Sequence, residues 1–198
     1  MSKTPLNMEQ VGIYVANIQK WLDEAIESDY EQGLSWYADA RAFAAKKAIQ
    51  YGIKPIQVAT LISILSPQKK WEQNLEEVSA FLEEFYNGVK PAKSYFASQK
   101  SLDECTAALR DGWVIPAHRS KTFAFADNIA NENSSHVTVD RHAIKVANDD
   151  LTAKEISITA KRYREAEAAY NIVALEENLK PYQIQAITWV AYKRVVGR

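Results

Sequence analysis

Ile115-Pro116-Ala117-His118-Arg119-Ser120-Lys121-Thr122 and, further on, Asn133-Ser134-Ser135-His136-Val137-Thr138-Val139-Asp140-Arg141-His142-Ala143-Ile144-Lys145-Val146-Ala147 decide the fold. Pro116 suits the first turn of a helix, where a missing N–H costs nothing, so a helix is expected over 117–131. Residues 131–135 are polar and read as a loop. The run His136-Val137-Thr138-Val139 alternates in the manner of a short extended segment. Asp140 then caps or begins a helix over 141–149. Lys121 precedes Asp140 by nineteen residues. A helix, a loop and a turn can therefore return an amine and a carboxylate to one place.

Outward from this stretch the pattern is helical. Val11, Tyr14, Val15, Ile18, Trp21, Leu22 and Ile26 recur at threes and fours over 8–28. Leu34, Tyr37, Ala38, Ala42, Ala45 and Ile49 do the same over 30–51, and Gly52 marks a stop. Pro55 opens a helix to Leu65 that is apolar on most faces, so it is expected to be central and buried; Ser66-Pro67 ends it. An amphipathic helix over 69–87 carries Trp71, Leu75, Val78, Leu82 and Phe85. Residues 89–100 form a looser basic connection with Lys90, Lys93 and Lys100. Ser101 is expected to cap 102–110 with Glu104 completing a capping box, and Thr152 to cap 153–177 with Glu155 in the same role. Pro181 opens a last helix over 182–196. About ten helices and one short extended piece make an all-α fold.

The chain has 198 residues and a formal charge of −1. This length suits one domain or two small lobes sharing a core, and the near-neutral charge excludes a grossly basic nucleic-acid coat while leaving room for a local basic face. One cysteine, Cys105, cannot form an internal disulfide or hold an iron–sulfur cluster, which points to a reducing cytoplasm. The N-terminal residues have no apolar signal core, and no stretch reaches the length of a membrane span. The three histidines, His118, His136 and His142, lack the spacing of a helical metal pair, so no metal is expected.

Lys121 and Asp140 carry the most specific chemistry. Breaking an N-glycosidic bond creates an oxocarbenium-like centre that a nearby carboxylate stabilises. A neutral lysine amine attacking the anomeric carbon yields a covalent Schiff base. The first turn of a helix disfavours the ammonium and Arg119 adds like charge, both of which assist the neutral form. By spacing alone, a solvated helix lysine and a capping aspartate are the ordinary roles of such residues.

The ordered matches around the pair resemble the helix-hairpin-helix DNA glycosylase superfamily of the endonuclease III type. Residues 115–122 align with that family's L-P-G-x-G-x-K-T hairpin, and Val139-Asp140-Arg141-His142-Ala143-Ile144-Lys145-Val146 with its V-D-T-H-x-x-R-V segment. Upstream, Leu61-Ile62-Ser63-Ile64-Leu65-Ser66-Pro67-Gln68 is similar to its L-L-S-x-Q segment. The resemblance covers about 55–147 and implies a divergent, bacteriophage-encoded member acting in the host cytoplasm. It makes Lys121 the nucleophile and Asp140 the catalytic carboxylate of a glycosylase, with or without lyase activity. Residues 55–147 would form a central lobe, and 1–54 with 148–198 a second lobe, DNA being the partner.

Two departures stand out. Ala117 and Arg119 replace the hairpin glycines, so the side chains of His118, Arg119 and Ser120 would have to contact phosphate, and 117–120 would sooner continue a helix begun at Pro116. The C-terminal four-cysteine cluster of many relatives is absent. Gln68, Lys69 and Lys70 at a helix entrance suit a phosphate backbone or the gap left by a flipped base, with Trp71 in the core. Arg141 and His142 are expected at the DNA beside Asp140, and His142 also to bond locally and orient the turn. Trp189 and the tyrosines Tyr163 and Tyr170 read as core residues, with base stacking the alternative for Trp189. Two other functions suit the same pattern: a phage enzyme of nucleobase hypermodification that uses Asp140 without Lys121, and an inactive homologue that only binds DNA or protein.

Overall fold

The computed structural model describes residues 5–152 and 156–197. They form nine α-helices and a 3-10 turn, with no strand among them. The all-α expectation holds. In chain order the helices are α1 (Met8–Asp23), α2 (Glu27–Tyr51), α3 (Pro55–Leu65), α4 (Trp71–Tyr86), α5 (Gln99–Asp111), α6 (Ser120–Ala130), α7 (Arg141–Asn148), α8 (Ala160–Glu176) and α9 (Pro181–Val196); the 3-10 turn Lys93–Tyr95 precedes α5. Among the described residues no single helix is long and apolar enough to cross a membrane.

The chain divides into two compact units, Met1–Ala38 with Asn133–Arg198, and Asp39–Glu132. The boundaries thus fall at 38/39 and 132/133, where the motif pattern put them at 54/55 and 147/148. The physical reason is that α7 and the segment before it pack on α1, α8 and α9 and share their core. Lys121 and Asp140 consequently belong to different units.

In the first unit α1 supplies Val11, Tyr14, Ile18, Trp21 and Leu22, the stripe expected from a 3.6-residue period. Against it lie Val139 and Ile144, Tyr163, Ala166 and Tyr170 of α8, and Ile184 and Ile187 of α9. Two of the contacts that join α2 to α9 lie near the start of α2. The first is at Gly33, where a Cβ would lie 2.5 Å from the Ile187 Cα, so only glycine admits this approach. The second is Asp29, 2% exposed, which accepts from the Arg194 guanidinium at 2.9 and 3.2 Å.

In the second unit α3 is the centre, as its composition indicates. Residues 57–65 are all buried, and α4, α5 and α6 surround the helix. Two of its polar side chains bond outward to neighbouring backbone: Gln57 Nε2 donates to Ala108 O at 2.5 Å and Ser63 Oγ to Thr122 O at 2.8 Å. Asn74 Nδ2 of α4 donates to Ile62 O at 3.1 Å. Buried polar groups with such partners cost little and fix which helices meet. Both proline-led helices begin alike. In Lys54-Pro55-Ile56-Gln57 and Lys180-Pro181-Tyr182-Gln183 the glutamine Oε1 accepts from the lysine N–H at 2.9 Å, satisfying a backbone donor at the helix entrance.

Several element ends differ from expectation. The first helix stops at Asp23, not at 28, and Asp29 Oδ2 accepts from Ile26 N at 3.0 Å to start α2 afresh. Ser98, not Ser101, caps α5, and its Oγ accepts from Ser101 N at 3.2 Å. Helix α8 starts at Ala160 with Thr159 as its cap, so Thr152 is not a cap; the proposed box residue Glu155 lies outside the described residues. Residues 136–139 make no ladder. Val139 N bonds Val137 O at 3.0 Å and Asp140 N bonds Thr138 O at 2.9 Å, two successive i→i+2 turns.

Candidate functional site

The segment that presents Asp140 is held from behind by three tyrosines of the first unit. Tyr163 Oη donates to Val137 O at 2.6 Å, Tyr37 Oη lies 3.1 Å from Thr138 Oγ1, and Tyr170 Oη donates to Ala143 O at 3.3 Å. Tyr37 also lies 3.3 Å from Gln185 Oε1, which is buried on α9. Burial pushes the Tyr163 and Tyr170 phenols well above their ordinary range. They remain protonated donors across neutral and mildly alkaline pH.

At the end of this segment Asp140 caps α7: its Oδ1 accepts from Ala143 N at 2.9 Å. The other oxygen, Oδ2, lies 3.3 Å from His142 Nδ1. This agrees with the local role expected of His142. The two side chains are 26% and 40% exposed, so the carboxylate is partly open to solvent as well as tied to the helix start. An anion at this helix end sits where the peptide dipoles favour it. Arg141 beside it is exposed.

Around His142 the rings continue. Its imidazole stands 6.5 Å from Trp189 at 83° and 6.2 Å from Tyr192 at 68°. Trp36 meets Trp189 at 6.3 Å and 72°. Trp189, expected in the core, is half-buried, and Lys193 Nζ sits 4.4 Å over its ring. Trp36 carried no signal in the sequence, because Trp189 lies on another helix. A weak signal existed for Trp189: it stands four residues after Gln185, on a face adjoining the apolar stripe.

The other expected contacts gather in the second unit. Residues 66–70 join α3 to α4, and 117–121 lead into α6. The Ser63–Thr122 bond brings the end of α3 to the start of α6, so the two turns are neighbours. Residues 117–119 do not continue a helix from Pro116. Arg119 N bonds Pro116 O at 2.9 Å in a tight turn, and α6 begins only at Ser120. The turn forms without glycine because neither Ala117 nor Arg119 has a positive φ. Gln68 does, at φ 62°, which sets its exposed side chain at the tip of the other turn.

The cations of this surface fall into two sets. Lys69 is paired with Glu77 and donates to Tyr95 O at 2.5 Å, and Arg119 donates to Glu104 at 2.7 Å. Both are thus paired within the second unit. The carboxylates they meet lie on α4 and α5, and the sequence does not reveal that approach. Lys70, His118, Ser120 and Lys121 are exposed. Among the described residues the Lys121 side chain makes no hydrogen bond or ion pair. Neither α4 nor α6 has a side-chain cap at its start, next to Lys70 and Lys121. Trp71, expected in the core, is half-buried.

Among the described residues no group of three or more histidine, cysteine, aspartate or glutamate side chains could hold a metal ion. Cys105 is buried on α5, and desolvation pushes its thiol up to about 12, where it is inert as a nucleophile. Neither the curated proteins nor the solved structures gave a match to the chain. The sequence profile of DUF7178, a family of unknown function, matches residues 2–195, and the chain belongs to that family.

Proposed function

We propose that this chain is a DNA glycosylase that excises a modified or damaged base from a flipped-out nucleotide, with Asp140 as its catalytic carboxylate. The observation that carries the reading is the state of Asp140. One oxygen is fixed by the Ala143 N–H, the other faces His142, and the group is still partly open to solvent. A carboxylate held in this way can stabilise the positive charge that develops at the anomeric carbon as the glycosidic bond breaks. The pair of uncapped helix starts in the second unit, with Lys70, His118, Ser120 and Lys121 exposed beside them, supports phosphate contact.

In the lyase form of the reaction the neutral Lys121 amine attacks the anomeric carbon, and the base leaves with the bonding electron pair and a proton. The sugar ring then opens as the C1′–O4′ bond breaks and O4′ takes a proton, and the iminium so formed permits β-elimination of the 3′ phosphate. Borohydride reduces that iminium to a stable amine. A trapped protein–DNA adduct that disappears in Lys121→Ala, and base release that disappears in Asp140→Asn, are the expected results. No adduct and no base release across a panel of modified DNAs would overturn the enzyme reading.

One observation favours a second version. Lys121 is exposed and has no side-chain partner among the described residues to take its proton. A reaction that depends on Asp140 alone, either hydrolytic base release or a step of nucleobase hypermodification, needs no such partner. Full activity in Lys121→Ala with loss in Asp140→Asn selects this version.

A further inference from the structure

We infer that Trp189 is a stacking platform for one unpaired nucleobase of a DNA strand, and that Lys193 leaves the ring on binding to pair with the adjoining phosphate. The inference rests on the reading of the chain as a DNA-binding protein and names the element that takes the unpaired base.

Trp189 is half-buried, unlike Trp21 of the same unit, which is 1% exposed and part of the core. Its two ring neighbours, Trp36 and His142, meet it at 72° and 83°, so neither lies flat against the indole. No parallel-stacked ring partner is present on Trp189 among the described residues. What covers the ring is the Lys193 ammonium, 4.4 Å from the centroid. A cation–π contact at a partly exposed site is weak, and a lysine on a four-carbon stem changes rotamer readily. A flat, uncharged, π-rich ligand with an attached anion matches both parts: the base takes the ring face and the phosphate takes the displaced ammonium.

The surroundings support a nucleotide as the occupant. Exposed Arg141 is a second cation, at the start of α7, and the Trp189 indole reaches Asp140 through one imidazole, by the 6.5 Å ring contact and the 3.3 Å Nδ1–Oδ2 contact. An apolar peptide would gain from the indole but not from the lysine and arginine.

The test is titration of the full chain with an oligothymidylate of about twelve nucleotides, read by tryptophan fluorescence and by anisotropy of a labelled strand. Saturable quenching is expected in the wild type, with affinity reduced about tenfold or more in Trp189→Ala and less in Trp189→Phe. Lys193→Gln should lower the slope of log affinity against log salt by about 0.7. If Trp189→Ala does not fold by circular dichroism, Trp189→Leu fills the space without a π face and should lose affinity equally. Wild-type affinity in either folded variant, or no binding by the wild type, overturns the proposal. The two readings fail separately. Trp189-dependent binding without base release from any modified DNA leaves the platform standing and removes the glycosylase. Base release with unchanged affinity in Trp189→Ala does the reverse.

Discussion

His142 Nδ1 lies 3.3 Å from Asp140 Oδ2 while Asp140 Oδ1 accepts from Ala143 N at 2.9 Å, so a single carboxylate serves helix α7 and faces an imidazole. These two duties are separable by substitution. Asparagine caps a helix about as well as aspartate, whereas alanine does not. Asp140→Asn is therefore expected to melt within a few degrees of the wild type, and Asp140→Ala to lose about 1 kcal/mol. Base release should be lost in both. Thermal melts followed by circular dichroism, beside a base-release assay, check the split. Equal destabilisation of both variants would mean that the charge, not the cap, holds α7.

Cys105 offers a reading of stability against pH. Burial holds its proton more tightly in the folded chain, raising the thiol from 9.0 to about 12. Between those values the folded state keeps a proton that the unfolded state has released. Stability is then fully present below pH 9 and falls as pH rises toward 12, by about 1.4 kcal/mol per unit. Urea unfolding at pH 8, 10 and 11 should show this slope between the last two in the wild type and a shallower one in Cys105→Ala. At pH 8 a thiol reagent should label the native chain only as fast as it opens.

Gly33→Ala tests the packing of α2 on α9. The added carbon would meet the Ile187 backbone at 2.5 Å, and backbone cannot swing aside as a side-chain tip can. Overpacking of this kind costs about 3 kcal/mol, near the upper end for one substitution. Chemical denaturation of the variant should show that loss. A stability equal to the wild type would place the two helices further apart than described.

The fold was legible where local rules act alone. The 3.6-residue stripes of α1 and α4, the proline starts of α3 and α9 and the Gly52 stop each follow from backbone chemistry within a few residues. Asp140 was legible for the same reason, since an N-cap is a local event. Long-range pairings were not. Glu104 looked like a capping-box residue and instead holds Arg119, fifteen residues away. Residues 136–139 had strand-like composition but no partner strand, and the contacts of Tyr163 and Tyr37 hold them in place of a ladder. Trp36 became visible only once α9 was laid beside α2.

The same long-range pairings divide the basic residues by function. Arg119 is bound to Glu104 at 2.7 Å and Lys69 to Glu77, whereas Lys70 and Lys121 are exposed. An arginine already paired gains little from a phosphate, because the new bond replaces one it has. Each exposed lysine that meets a phosphate adds about 0.9 to the salt slope on duplex DNA. Lys70→Gln and Lys121→Gln should each lower that slope by about this amount and weaken binding uniformly across sequences. Arg119→Gln should leave the slope unchanged and destabilise the fold by about 1 kcal/mol, through loss of the half-buried pair with Glu104. Anisotropy titrations over a range of salt concentrations, with melts of the same variants, separate the two classes. A reduced slope in Arg119→Gln would show that the ion pair opens on DNA.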